Sequence, residues 1–322
     1  MKNNVKEPNP FLYSDTNKRY HTYDYYLRHR YGGKCVKLSL DAGLGCPNID
    51  GRCGVGGCIY CSPRGSGDFA FRGLSLAAQY EAQRALLSHK WETVRCIPYL
   101  QAHTNTYAPV SVLRRIYGEV LALPDAVGLH IATRADCLAP DVLDLLREVS
   151  AQTDLTVELG LQSVHDKTAL AINRGHTFSD FLDGYHALRT AVPRARIGVH
   201  LIDGLPGEDF DMMLETARTV AGLMPDEIKF HLLHVVAGTR LADVYNAGEY
   251  TPLSLEEYVE ILVAQLEILP PAIVVGRLTG DGDPHTLLAP LWSLKKFTVI
   301  NAIDRELMQK NTYQGKKSDF CV

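Results

Sequence analysis

Leu38-Ser39-Leu40-Asp41-Ala42-Gly43-Leu44-Gly45-Cys46-Pro47-Asn48-Ile49-Asp50-Gly51-Arg52-Cys53-Gly54-Val55-Gly56-Gly57-Cys58-Ile59-Tyr60-Cys61 sets the terms on which the rest of the chain is understood. It continues a strand-like run, residues 34–40, and so leaves the C-terminal end of a strand, where parallel α/β folds carry their sites. Four thiols stand among six glycines between Gly43 and Cys61, a composition suited to a backbone wrapped around something compact. Crowded thiolates of this kind bind zinc or iron–sulfur. Four cysteines can close a tetrahedral zinc site. Three cysteines on a [4Fe–4S] cluster leave one iron open to a ligand. The loop by itself allows both.

Outward from the loop, the chain alternates two periodicities. Strand-like runs fall at about 34–40, 94–101, 127–133, 154–161, 195–202 and 226–233, and one further apolar run lies at 272–276. Helical patterns lie between them at about 75–91, 110–122, 139–150, 165–190, 208–222 and 254–268, followed by a further helix near 300–310. Start signals include Ser179-Asp180, and Ser254 ahead of Glu256-Glu257. Six strands alternating with helices imply a parallel sheet of right-handed βαβ units; periodicity does not decide whether it curls. Three regions follow: an N-terminal Tyr/basic extension (1–33), an α/β body (34–270) and a C-terminal extension (271–322).

At 46% apolar and 22% charged residues, the 322-residue composition is that of a globular protein with a sizeable core. The first residues hold no apolar signal segment and no run reaches the length of a membrane span, so a cytoplasmic protein with no membrane partner is expected. Eight cysteines there argue against a disulfide framework. The net charge of −4 hides an asymmetry, since residues 1–34 and 295–317 each sum to +4. If these basic ends meet in space they form an edge suited to a polyanion; otherwise they are solvated termini.

The order of short motifs separates the two chemistries of the loop. Cys46-Pro47-Asn48…Gly57-Cys58-Ile59-Tyr60-Cys61 resembles the cluster loop of radical S-adenosylmethionine (SAM) proteins related to the Elongator catalytic subunit, and more closely their bacterial YhcC/YtqA-like branch. Further resemblances follow in order: Tyr99 to Pro109, Ala132 to Leu138, Glu158 to Ser163, Asn173 to Thr177, Gly204 to Glu208, Leu278 to Gly282 and Ala289 to Trp292. They span about Lys18 to Lys317. The resemblance implies an α/β partial (β/α)6 TIM-type barrel with N- and C-terminal extensions, using a [4Fe–4S] cluster and SAM. The spacing departs from the common C-x3-C-x2-C: the chain offers Cys46 or Cys53 ahead of Cys58 and Cys61. The branch places a cluster cysteine before Pro-Asn, so the implied ligands are Cys46, Cys58 and Cys61, with Cys53 spare.

By the same resemblance, Gln101, Thr104, Asn105 and Thr106 lie near the SAM amino group. Glu158 and Gln162 are placed at its ribose or carboxylate, and Arg174 at its carboxylate, which a planar guanidinium suits. Gly204, Leu205 and Pro206 lie against the adenine, and Tyr60 packs near it. Without the cysteine loop, Glu158 reads as a surface carboxylate and Arg174 as a helix-end charge. His200, His231 and His234 lie at or near strand ends. His231 and His234 differ by an odd number, so on a continuing strand they face opposite sides; satisfied core or loop histidines are expected, the alternative being that one lines the active site as a proton donor.

The chemistry implied is cluster reduction by an external one-electron reductant, SAM cleavage, and hydrogen abstraction from an unactivated carbon. Relatives of the Elongator subunit act on the C5 side chain of wobble uridine, so the implied substrate is tRNA. The segment Arg19 to Tyr31 interleaves aromatic and basic residues as RNA stacking and phosphate binding require. Nothing resembling an acetyltransferase region follows the barrel, so acetyl-CoA chemistry is not carried over. Two other readings remain: a radical SAM enzyme for a small metabolite with the tyrosines packed under the barrel, or a non-enzymatic zinc-binding RNA adaptor closed by four cysteines.

Overall fold

The computed structural model describes residues 11–62, 65, 71, 73–88 and 95–320. The first ten residues of the N-terminal extension, the end of the helix expected at 75–91, and Cys321 lie outside the described residues. Six parallel strands appear where the alternation places them: β1 (Cys35–Leu40), β2 (Arg95–Leu100), β3 (Leu129–Thr133), β4 (Leu155–Gln162), β5 (Arg196–Asp203) and β6 (Glu227–Leu232). A short strand β7 (Val235–Val236) pairs antiparallel with β9 (Leu287–Ala289) above them. The segment after residue 270 supplies β8 (Val274–Arg277), which pairs parallel with β6. The main sheet therefore has seven strands in the order β1-β2-β3-β4-β5-β6-β8, curled as a partial barrel.

Helices α2 (Leu76–Ser88), α3 (Val110–Leu121), α4 (Pro140–Ser150), α6 (Phe178–Ala191), α7 (Phe210–Gly222) and α9 (Leu255–Ile268) alternate with the strands. Shorter helices are α1 (Tyr23–Tyr31), α5 (Asp166–Ala171) and α8 (Arg240–Asn246), and α10 (Lys296–Gln309) closes the series. The single helix expected at 165–190 is two, because Asn173 (φ 53°) and Gly175 (φ 76°) turn the chain left-handed between α5 and α6. Helix α6 then restarts on a capping box, Thr177 with Asp180, and α9 on another, Ser254 with Glu257.

Strand alternation divides the sheet's two faces. Val157, Leu159, Val199 and Phe230 are wholly buried in one core with Phe181, Leu188, Val220 and Leu262 of the helices. Full burial of each such side chain stabilises the fold by about 1.5–3 kcal/mol. The other face, at Tyr99, Glu158, His200 and Lys229, turns into the barrel interior and borders its cavity. These inward positions are polar along strands that otherwise read as apolar.

The N-terminal segment seals the underside. Thr22 bridges Val275 on the β8 edge, the His21 amide donates to Gln314, and Arg19 reaches Asn311. The two basic ends therefore do meet. The charge of the N-terminal end, however, is largely compensated: Arg28 is held by Asp15 and Asp24, Arg30 by Asp154, and Lys18 by Asp304. The tyrosines pack inward, Tyr20 and Leu27 being buried, and Tyr23 reaches His130 with its hydroxyl at 3.2 Å. The tyrosine segment is a floor of the barrel, which is the packing alternative rather than an exposed stacking surface. Among the described residues no helix is long and apolar enough to cross a membrane.

Candidate functional site

A cavity of about 510 Å³ opens at the C-terminal ends of the strands. The cysteine loop forms one side. It is folded by its own backbone: Cys53 N–H donates to Pro47 O at 2.8 Å, Gly57 N–H to Asn48 O at 2.8 Å, and Cys61 N–H to Cys58 O at 3.1 Å. Cys46, Cys58 and Cys61 line the cavity. Cys53 instead turns to Asp136, its thiol 3.7 Å from the carboxylate, on the exposed flank of the loop.

Asn48 holds this arrangement together, and only its place in a motif had marked it. Its buried amide nitrogen lies 3.6 Å from the Cys58 sulfur and donates to Asn173 O at 2.6 Å. Two glycines make its socket: a Cβ on Gly54 or on Gly175 would sit 2.3 Å from Asn48 Oδ1. Asn173 reciprocates, donating to Gly57 O at 2.7 Å and Val55 O at 3.1 Å, and Arg240 also donates to Gly57 O at 2.7 Å. The Asn173–His176 turn that splits the helices is therefore the clamp on the cysteine loop.

The electrostatics favour thiolate at Cys58. A hydrogen bond from Cys61, together with the Arg174 and Arg134 guanidiniums, pulls the Cys58 thiol down to about 5 against the effect of burial. Cys61, as the donor to that sulfur, is pushed well up. Arg134 is itself buried, fixed by Asp136 at 2.7 and 2.8 Å and donating to Arg174 O at 2.8 Å. Metal-bound cysteine is deprotonated, and neighbouring cations stabilise that form. Among the described residues no three His, Cys, Asp or Glu side chains close on a point that a single ion could fill. A four-iron cube, with its irons at separate corners, asks instead for spaced thiolates on one wall. Cys46, Cys58 and Cys61 share the cavity wall that such a cluster asks for, and Cys53 does not line it.

The expected SAM contacts divide. Tyr60, Gln101, Thr104, Glu158, Gln162 and Arg174 all border the cavity. Gln162 does so through a bulge after Gly160 and a φ of 79°, so it shares the cavity with Glu158 although the strand's alternation has broken. Asn105 and Thr106 do not line it. The Asn105 amide donates to the carbonyls of Leu100, Ala102 and Ala132, tying β2 to β3, and Thr106 bonds to Thr133. Gly204, Leu205 and Pro206 also stand off the cavity: Gly204 O accepts from Tyr250, and Leu205 belongs to an apolar cluster against which Tyr60 and Ile59 pack. His103, Arg134, Lys229 and Arg277 line the cavity without having been singled out.

Glu158 is the hub of the barrel interior, wholly buried. One oxygen accepts from His130 Nδ1 at 2.7 Å and Lys37 at 3.1 Å. The other accepts from Tyr99 at 2.6 Å, His200 Nε2 at 2.8 Å and Lys229. Burial alone would raise its pKa, but Lys229, Lys37 and the two histidines hold it well below the usual carboxylate range. Burial brings Lys229 down to about 7 despite that carboxylate, and His130 to about 4. A neutral His130 donating from Nδ1 leaves Nε2 to accept from Tyr23, so the chain of bonds runs from the floor to the cavity. His231 and His234 both border the cavity with buried, unpartnered Nε2 atoms. They face one space, not opposite sides and not a satisfied core, because β6 ends at Leu232 and alternation stops between them.

Comparison with known proteins follows the same outline. The family model described as the radical SAM superfamily matches residues 48–220, and the radical SAM C-terminal domain matches residues 225–309. YtqA of Bacillus subtilis, itself uncharacterised, is 48% identical over 97% of both chains. A tRNA uridine(34) acetyltransferase of Methanocaldococcus infernus is 28% identical over 48% of this chain and 29% of its own length. The solved structure of the M. infernus Elp3 protein lacking its first 46 residues superposes with a TM-score of 0.65, at 18% identity, over 88% of this chain and 64% of that one; this shows a shared fold.

Proposed function

The chain belongs to the radical SAM superfamily, and from that membership we propose that it processes the C5 side chain of the wobble uridine in tRNA. When bound, the [4Fe–4S] cluster and SAM supply a carbon radical able to take hydrogen from an unactivated carbon. The remaining work belongs to the chain's own groups. Cys46, Cys58 and Cys61 would hold the cluster, with Asn48 steadying Cys58 and Arg134 and Arg174 offsetting the negative charge. Gln101, Thr104, Gln162 and Arg174 would bind the polar parts of SAM, and Tyr60 would pack beside it. Lys229, at the cavity floor, holds a proton at Nζ that burial makes easy to release near neutral pH.

The observation that carries the reading is the single cavity shared by three thiols on one side and Lys229, His231 and His234 on the other. A cofactor can sit at the first wall and a polar substrate at the second. What supports tRNA in particular is the partial likeness to an enzyme named for uridine 34. Anaerobic reconstitution followed by assay for 5′-deoxyadenosine tests the radical chemistry. Nucleoside mass spectrometry of tRNA from a deletion strain tests the substrate. Unchanged wobble uridines would remove the tRNA reading and leave the radical chemistry standing.

A further inference from the structure

Because the tyrosine segment is the barrel floor, an RNA partner needs another surface. Positive charge is not lacking: residues 295–317 carry six Lys and Arg against two acids. Most of this stretch is α10 and the residues that follow it. Val299, Ile303 and Leu307 turn the inner face of α10 into the core. Phe297, Asn301 and Arg305, four residues apart, lie on the outer face, and all three are exposed. Phe297 is 79% exposed and Leu291, two turns before it, 61%. Lys295 is exposed too, and among the described residues neither it nor Arg305 has an acidic partner. This contrasts with Arg28 and Arg30 on the underside, which are bound to aspartates.

The mouth end of α10 adjoins the site. Asp281 borders the cavity, and its carboxylate accepts from Arg277 at 3.2 Å and from Lys296 at 2.9 Å. Leu294 lies 3.4 Å from where a Cβ on Gly282 would stand. A strongly exposed aromatic ring, flanked by two lysines and one ion pair away from the cavity lining, has the makeup of a single-stranded nucleic-acid contact. The ring offers a face to a base, and the cations meet the phosphates on either side.

We propose that the outer face of α10 is the RNA-docking surface of this protein, a base stacking on Phe297 while Lys295 and Arg305 contact phosphates. This rests on the tRNA reading above. The test measures binding of an unmodified tRNA transcript and of its isolated anticodon stem-loop to the anaerobically reconstituted protein, by fluorescence anisotropy over a series of salt concentrations. Phe297→Ala should weaken binding about 5- to 150-fold, the range for loss of one base–aromatic stack, and Phe297→Trp should keep it. Lys295→Gln and Arg305→Gln should each flatten the slope of log affinity against log salt by about 0.7. Arg28→Gln and Arg30→Gln should leave that slope unchanged. SAM cleavage in the absence of RNA should be the same in Phe297→Ala as in the native protein.

Native protein that binds the RNA, with Phe297→Ala and Lys295→Gln binding equally well, would overturn the docking surface and spare the tRNA reading. Native protein with no salt-dependent RNA binding would overturn both. If sedimentation shows a native dimer that Phe297→Ala dissociates, with RNA affinity unchanged, the face belongs to self-association and the proposal fails.

Discussion

Replacing Glu158 with Gln removes one negative charge from a site of zero exposure where five donors converge. Counting each bond to a charged group at about 1.5–3 kcal/mol would overstate the loss, because Gln keeps one acceptor oxygen and the neighbours relax. The governing quantity is the cost of leaving buried cations without their partner, about 3–5 kcal/mol. Lys37 keeps some compensation from Glu227 at 3.5 Å, whereas Lys229 keeps none as close. The new amide N–H groups would also face donors. With a urea dependence of about 3 kcal/mol per molar, the unfolding midpoint should fall by about 1–1.7 M. Urea titration followed by circular dichroism reads this directly. Adding Lys229→Met to the same background should recover part of the loss, since it removes the buried cation that Glu158→Gln leaves without its partner. A loss below about 1 kcal/mol, or a double variant that simply adds the two single losses, would refute the account of Glu158 as the anion on which the interior charges depend.

Three further outcomes follow from the site. Cys53→Ala should retain iron after anaerobic reconstitution while Cys46→Ala loses it; iron analysis showing the reverse would put Cys53 in the ligand set. Gly175→Ala would bring a methyl group to 2.3 Å from Asn48 Oδ1 at a φ of 76°, so the cysteine loop should give up its iron to a chelator markedly faster than in the native protein, with the barrel still folded by circular dichroism. His21 and His130 are pushed by burial to about 4, while in the unfolded chain they titrate near 6.5. Between those values the unfolded state binds more protons, so these two groups should make thermal stability fall as pH drops from about 6.5 to about 4, and His21→Gln should lessen that slope.

Much of the architecture was legible because βαβ alternation is a strong periodic signal, and six of the seven sheet strands fall where it puts them. β8 was a short apolar run with a helical pattern before it and none directly after it, so its place beside β6 needed tertiary contacts. The break between α5 and α6 was written in Asn173-Arg174-Gly175, but a lone glycine within a helical pattern does not announce that the turn clamps a loop more than a hundred residues earlier. The crowded thiols were legible by type, whereas the choice of Cys46 over Cys53 came from the resemblance. Glu158 was named as a site residue, but its part as a buried anion was not legible, since an acidic residue in an apolar strand looks the same whether it meets solvent, a ligand or five buried donors. Asn105 and Thr106 were placed near SAM by the resemblance; neither lines the cavity, and the Asn105 amide nitrogen and the Thr106 hydroxyl join the chain after β2 to β3. The tyrosine segment had the composition of an RNA surface, and only packing shows it to be a floor.

That floor has a consequence for biosynthesis. Its seam joins His21 to Gln314 across 293 residues of chain, and Lys18 to Asp304 across 286. On the ribosome the segment around α1 therefore waits for the segment from Asp304 to Gln314, and the barrel stands open beneath until that segment has emerged. Tyr20, buried in the finished molecule, spends that interval without its final cover. Closing the ring is a late, long-range event, costly in chain entropy and slow relative to the local βα units that precede it. A nascent chain stalled before residue 314 would have its strands and its cysteine loop but no bottom, and that unfinished underside is where a chaperone would find its grip.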